Sequence, residues 1–399
     1  MSHTSSKISI KKIIGQIHLW LGLLSGLVVF ILGFTGCIYA FQSELKELVY
    51  ADRYFVKTKG LKSLPISVLK ESAQKALGNE YPITFLHYIP ETSYAYRFRA
   101  SKTEAEALTY GSKVLYNKMA FVDPYTAKVL FVEDTKWEFF NVVLQIHYDL
   151  LLNKIGHQIV GWSTVIFVVM LISGLVLWWP KNKAALKQRL YFKWKLTTKW
   201  KRKNYDLHNI PGFYSFALAL VISLTGLWFA FEWFRPPIKY IANGGKPLIE
   251  EKKVFSDTTE AASPDLVDII EKNIRERNIK GEFFYMTFPE AKKAPIVVTA
   301  MHNKDNFVKR SQYFFDKNTG KELKSSPYES KNSADKFGFM IYDIHVGKII
   351  GLPGQILASI TALIAASLPL TGVMIWIGKK GKKPDSKSTK KSKRTIVSV

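Results

Sequence analysis

Four of the eight histidines in this sequence form two matched pairs, and imidazole in such surroundings is a ligand or a proton carrier. His18 lies near the start of "IHLWLGLLSGLVVFILGFTGCIYAF" (17–41), an apolar run long enough to cross a bilayer. An ionisable side chain there is costly, which makes it a functional candidate; the ordinary alternative is a histidine at the headgroup level. A shift of 190 residues lays His18 on His208, and a shift of 198 lays His147 on His345. His3, His87, His157 and His302 have no histidine counterpart. Two neutral imidazoles meeting from neighbouring helices suit the two axial positions of a haem, which is flat and largely apolar. The pairs His18/His208 and His147/His345 therefore predict two haem b groups, one near each membrane face. Zinc or copper is the competing ligand, but two histidines fall short of the usual structural zinc set. A proton relay would bring acidic partners into the spans, and these apolar runs contain almost none. No C-x-x-C-H occurs, and the single cysteine, Cys37, reads as a small apolar residue in a span.

The elements that must position these histidines repeat as well. The first shift also superposes Gly22, Ser25, Thr35, Gly36, Ala40 and Phe41 on Gly212, Ser215, Thr225, Gly226, Ala230 and Phe231. The second superposes Gly156, Ser163, Ser173, Gly174 and Trp178 on Gly354, Thr361, Thr371, Gly372 and Trp376. The chain thus reads as two copies of one span–domain–span unit running in the same direction. A pseudo-twofold axis along the membrane normal would bring each histidine pair face to face.

Four apolar runs approach or exceed the roughly 20 residues that a spanning helix needs. The predicted fold is an α-helical membrane protein with α+β extramembrane modules and four transmembrane helices. The boundaries are spans at 13–41, 146–180, 206–234 and 344–378, the second and fourth with outer extensions, and outer modules at 42–145 and 235–343. The remaining segments are 1–12, a basic loop at 181–205 and a basic tail at 379–399. The net charge of +25 concentrates in those three: 181–203 holds ten Lys or Arg and no acid. The positive-inside rule puts both termini and the basic loop in the cytoplasm, and in a bacterium the modules would be periplasmic and the protein in the inner membrane. Flanking positions beside apolar spans explain the basic runs without nucleic acid as a partner.

Within the modules, 66–77 and 263–277 have helical periodicity, and "YAYRFRA", "KVLYNKMAFVD" and "KRSQYFFD" read as strands. "DPYTAK" and "DKNTGK" supply turns. Neither module carries a nucleophile arrangement, a phosphate loop or a metal-binding run.

From His147 to Trp179 one straight helix would run about 48 Å, beyond a hydrocarbon core of about 30 Å. A break is expected in "LLLNKIGH" (150–157) and in "IIGLPGQ" (349–355), with the outer haem near the outer surface. His157 is the nearest competitor for a ligand role; His87 and His302 read as module residues. Gly15, Gly22, Gly26 and Gly33 fall near one line along the first helix, where another backbone or a flat macrocycle can approach. Lys154 and Lys348 outside, and Lys12 or Lys203 inside, could pair with propionates, although each is also an ordinary interface anchor.

"IHYDLLLNKIGHQIVGWSTVIFVVMLISGLVLWWP" (146–180) and "DLHNIPGFYSFALALVISLTGLWFAF" (206–231) closely resemble the PepSY-associated transmembrane proteins, the PiuB-like iron-regulated membrane proteins. The resemblance covers nearly the whole chain and departs from the family pattern at Asn153, where relatives carry glycine. It implies a PepSY-like domain in each outer module and an inner-membrane siderophore reductase with bound b haems, ligated by His18, His147, His208 and His345. The implied partners are a ferric siderophore as substrate, an electron donor of unknown identity and the lipid bilayer. The alternatives are transfer to another acceptor (copper, a quinone or a disulfide carrier) and a membrane-anchored PepSY binding or regulatory protein without enzymatic activity.

Overall fold

The computed structural model describes residues 9–57, 62–90, 92–248, 252–257, 259, 263 and 265–380. Its principal elements, in chain order, are helix α1 (Ile10–Tyr39), α2 (Ile66–Leu77), strands β1 (Phe85–Tyr88), β2 (Tyr96–Thr103), β3 (Val114–Val122) and β4 (Val129–Asp134), then α3 (Phe139–Asp149), α4 (Asn153–Trp178) and α5 (Trp200–Ala230). There follow α6 (Leu266–Glu276), β5 (Phe283–Thr287), β6 (Ile296–Met301), β7 (Arg310–Phe315), β8 (Glu322–Ser326), α7 (Ser333–Val346) and α8 (Gly351–Lys380).

Helices α1, α4, α5 and α8 are long and apolar enough to cross a membrane. Each packs on two neighbours, in the cycle α1–α4–α5–α8, so α1 faces α5 across the bundle axis and α4 faces α8. Their burial is the reverse of a water-soluble helix. On α1 the inward positions are Ser25, Gly26, Val29, Gly33 and Thr35, while Trp20, Leu24, Leu27 and Phe34 are exposed. Small residues inside and large apolar residues outside is the pattern of helices that associate in lipid. The first span begins at Ile10 and the third at Trp200, six residues before the expected start, because Lys and Arg continue a helix readily beyond the apolar run. The basic segment 181–205 also contains a short helix, Lys183–Leu190.

Neither second nor fourth span is continuous with the helix before it. Between α3 and α4, Leu150 (φ 54°), Leu151 (φ 62°) and Asn153 (φ 48°) adopt left-handed backbone, and between α7 and α8 Gly347 (φ 83°) and Gly351 (φ 68°) do so. The second break thus falls before Pro353, at the two glycines. Asn153 is the repeat partner of Gly351, and asparagine is among the few side chains that tolerate this conformation. The reversals are tight: a Cβ on Gly156 would collide with the Asp149 carbonyl, and one on Gly354 with that of Gly347.

Both halves feed strands into one end of the bundle. The strands of the two outer segments form a single antiparallel sheet, ordered β4-β3-β2-β1-β5-β6-β7-β8. Its centre is the pairing of β1 with β5, which sets Leu86 against Met286 and His87 against Tyr285. Joining the two inner edges removes unpaired strand edges that two free modules would expose. One face of the sheet packs under α2 and α6 through Leu69, Ile270, Leu86, Phe98, Met286 and Phe315. The predicted helix at 66–77 coincides with α2, and the "DPYTAK" and "DKNTGK" turns join β3 to β4 and β7 to β8. In each turn the leading aspartate, Asp123 or Asp316, accepts a backbone N–H two residues on at 2.9 Å.

Candidate functional site

Two cavities lie between the four spans. The one toward the basic loop has a volume of about 770 Å³ and is lined by His18, His208, Gly15, Gly22, Gly26 and Gly212 among others. The one toward the sheet, about 280 Å³, is lined by His147, His345, Gly33, Gly36 and Gly226, with Tyr39 and Tyr342 at its wall. His18 and His208 come from facing helices, α1 and α5. His147 and His345 come from α3 and α7, the short helices that precede the other facing pair. The breaks described above aim these two rings into the bundle.

All four imidazoles are held in the same way. His18 Nδ1 lies 2.9 Å from Ser173 Oγ, and His208 Nδ1 lies 2.9 Å from Thr371 Oγ1. His147 Nδ1 lies 3.0 Å from Thr35 Oγ1, and His345 Nδ1 lies 2.9 Å from Thr225 Oγ1. A hydroxyl has one proton to give. Here it goes to the helix's own carbonyls: Thr35 to Ile31 at 2.7 Å, Thr225 to Ile222 at 2.8 Å, Thr371 to Ser367 at 3.0 Å and Ser173 to Met170 at 3.2 Å. Each hydroxyl can then only accept from its histidine, so Nδ1 carries the proton and Nε2 keeps its lone pair. A ring fixed in this tautomer by an outer hydrogen bond is prepared to bind a metal through Nε2.

The residue after each hydroxyl is glycine, and it is the contact surface of the same ring. A Cβ on Gly36 would lie 3.0 Å from His147 Cε1, on Gly174 3.2 Å from His18, on Gly372 3.5 Å from His208 and on Gly226 3.6 Å from His345. The Ser/Thr-Gly dipeptide is therefore a histidine seat, used four times. These residues stand out in the internal repeat, but their link to histidines more than a hundred positions away is visible only in the fold.

The rings of His147 and His345 have centroids 6.2 Å apart and planes inclined by 68°. With metal–imidazole bonds of about 2 Å, and the ring nitrogen about 1 Å from the ring centre, two imidazoles on opposite sides of one metal stand about 6 Å apart. The spacing and the donor set fit a shared axial pair. The glycines of α1 divide between the two expected uses. Gly15, Gly22 and Gly26 line the larger cavity, whereas Gly33 is pressed to the backbone of α8, its notional Cβ 2.9 Å from Ala366 N.

The remaining candidates separate clearly. His157 lines the smaller cavity, but its Nε2 is 2.9 Å from the Ala230 carbonyl and its ring packs on Tyr148 at 4.7 Å. Lys12 reaches the larger cavity. Lys203 instead lies over Trp194, Lys154 pairs with Glu106 at 2.7 Å, and Lys348 pairs with Glu44 at 3.3 Å. His302 bonds Ser311 at 2.8 Å, at the edge of the sheet. His87 is central to the sheet rather than peripheral: burial, then the charge of Arg97 beside it, holds its pKa well below the ordinary value, so the ring is neutral. Glu138 caps α3, the carrier of His147, accepting from the N–H groups of Phe140 (3.0 Å) and Asn141 (2.9 Å) and pairing with Lys46 at 2.9 Å. Burial raises its pKa, but the Lys46 charge and the two N–H groups outweigh this and leave it below the usual value.

Residues 16–379 match the family described as the PepSY-associated TM region, a stretch that contains all four seated histidines and most of the lining of both cavities. The chain belongs to the PepSY-associated transmembrane family. No curated protein matches it. A family defined by a transmembrane region and four helices of spanning length together make this a multi-pass membrane protein.

Proposed function

We propose that this PepSY-associated protein is a di-haem b reductase of the bacterial inner membrane, passing electrons across the bilayer to a ferric siderophore and releasing ferrous iron. The observation that carries the reading is the convergence of His147 and His345 at 6.2 Å with both Nδ1 atoms already engaged. His18 and His208 would hold the inner haem, and His147 and His345 the outer. When bound, each haem would supply a one-electron couple, and held by two imidazoles it would be suited to electron transfer rather than to oxygen binding. The chain's own part is to keep each Nε2 unprotonated, to hold each ring against its glycine, and to exclude water with apolar walls.

Orientation follows from charge. The basic loop lies at the end of the bundle opposite the sheet, and the positive-inside rule supports a cytoplasmic loop and a periplasmic sheet. An electron donor on the basic side would meet the larger cavity. The periplasmic part is read as two PepSY-like copies of one ancestral unit, a reading supported by the palindromic strand order and by the repeat-related hydroxyl–histidine bonds. Ferric iron prefers hard oxygen ligands, so one-electron reduction loosens such a chelate without any bond cleavage by protein groups.

The test is purification in detergent under haem-replete expression. The expected protein carries two haems per chain with low-spin b-type bands, and a ferric siderophore reoxidises the dithionite-reduced form. A colourless protein, or a reduced haem protein indifferent to every ferric chelate, would overturn the reading.

A further inference from the structure

The face of the sheet opposite α2 and α6 carries three arginines, none of them in an ion pair among the described residues. On β2, Arg97 and Arg99 share this face, and Arg310 lies on the same face of β7. Each guanidinium lies over an aromatic ring instead: Arg97 over Tyr54 at 5.0 Å, Arg99 over Phe85 at 4.6 Å and Arg310 over Phe339 at 4.1 Å. None of the three forms an ion pair among the described residues, and Arg99 Nε is buried without a hydrogen-bond partner. Arg97 donates to the neutral His87 ring. The acid nearest in effect to Arg310 is Asp343, whose Oδ2 accepts the Phe307 N–H at 2.8 Å. The three charges converge on Tyr285: burial raises its phenol, while Arg97, Arg99 and Arg310 all pull against that rise. Half-buried guanidiniums that lack a direct ion pair gain from an anion that completes them.

This face is wired to the outer cavity by aromatic contacts. Tyr342, in the cavity wall, meets Phe307 at 5.3 Å; Phe307 meets Phe283 at 6.3 Å; and Phe283 meets His87 at 5.2 Å and Tyr285 at 5.3 Å. Phe85 lies beyond, 5.2 Å from Tyr285.

We propose that the Arg97/Arg99/Arg310 face is the docking site for an anionic ferric chelate of the catecholate class, seated on the half-buried Tyr285 and Phe85 and joined to the outer cavity by these ring contacts. The inference rests on the reductase reading and narrows its substrate. Guanidinium forks match anionic oxygens, and planar catechol rings match the aromatic floor. The chemistry balances with one electron: the chelate's iron(III) becomes iron(II), the reduced haem iron assigned to His147 and His345 returns to iron(III), and no bond to protein forms. A cationic or neutral hydroxamate chelate would gain nothing from three arginines.

The experiment separates binding from reduction by using gallium(III), which replaces iron(III) in such chelates and is not reduced. Calorimetric titration of the full-length haem-loaded protein should show the gallium tris-catecholate binding about tenfold or more tighter than a cationic gallium trihydroxamate, with affinity falling as salt rises. Arg99→Gln and Arg97→Gln should each weaken catecholate binding by about tenfold, Arg99→Lys should recover part of it, and the haem spectrum should not change. Equal affinity for the two chelates, or Arg→Gln variants that bind like the parent with intact haem spectra, would overturn the inference while leaving the reductase reading standing. Tight, arginine-dependent binding with no reduction of the ferric form would overturn the reductase reading and leave the site.

Discussion

Replacing the hydroxyl that seats a histidine should have graded effects, because the four seats are not equally redundant. Ser173 Oγ is the acceptor for His18 Nδ1, so Ser173→Ala leaves that N–H without it. At the other extreme, His345 Nδ1 lies 2.9 Å from Thr225 Oγ1 and also 3.1 Å from the Ile222 carbonyl, which is ready to take over in Thr225→Val. A neutral hydrogen bond of this kind contributes about 1 kcal/mol. Losing it in Ser173→Ala also removes the bias against the tautomer with its proton on Nε2, the atom needed for ligation. Outer-shell partners of metal-bound histidines typically account for about 10–100-fold in affinity. The expectation is about a tenfold or greater loss in haem affinity at the inner site for Ser173→Ala, against less than about threefold at the outer site for Thr225→Val. Titration of haem into apo-protein, followed by reduced-minus-oxidised difference spectra, measures both. If Thr225→Val weakened its site as much as Ser173→Ala did, or if Ser173→Ala bound haem like the parent, the account of the seats would be wrong.

Further outcomes follow from the same geometry. Gly33→Ala should destabilise the bundle by about 1–3 kcal/mol, because its Cβ would press on the backbone of α8, whereas at Gly15 the nearest outside atom is 3.9 Å away and alanine should be accommodated; thermal melts in detergent compare them. Glu138→Ala removes the cap of α3 and should cost about 1–2 kcal/mol and lower occupancy of the outer haem alone. Because the folded pKa of Glu138 is depressed, its contribution is full above the unfolded carboxylate value of about 4.3 and is lost as pH falls through the folded value. The parent should therefore lose stability below about pH 4 more steeply than Glu138→Gln, as followed by melting temperature against pH. His157→Leu should retain both haems, since its Nε2 is engaged by the Ala230 carbonyl and its ring is packed on Tyr148; loss of the outer haem in that variant would count against the assignment.

Much of this fold is legible in the sequence because the apolar spans and the matched residues at shifts of 190 and 198 leave long-range marks. Spanning length, the paired histidines and the Asp-led turns follow from periodicity and turn chemistry alone. The helix break at Leu150 and Leu151 is less legible, since leucine carries no signal for left-handed backbone; its repeat partner, with Gly347 and Gly351, carries that signal openly. The joining of the strands into one sheet had no local mark either, because β1 and β5 pair across some two hundred residues. In "YAYRFRA", read as a strand, the alternation sets Arg97 and Arg99 on the face opposite Tyr96 and Phe98. The fold turns that face toward α7, through Arg310 on Phe339 and Phe307 on Tyr342, and gives the arginines their meaning.

The most direct test of the central claim is the haem content and optical spectrum of four single variants, His18→Ala, His208→Ala, His147→Ala and His345→Ala, purified alongside the parent. The first two should lose one and the same haem, the last two the other, and each variant should keep its second haem with an unaltered low-spin spectrum. Two haems in every variant, or haem loss that did not sort by these pairs, would contradict that claim.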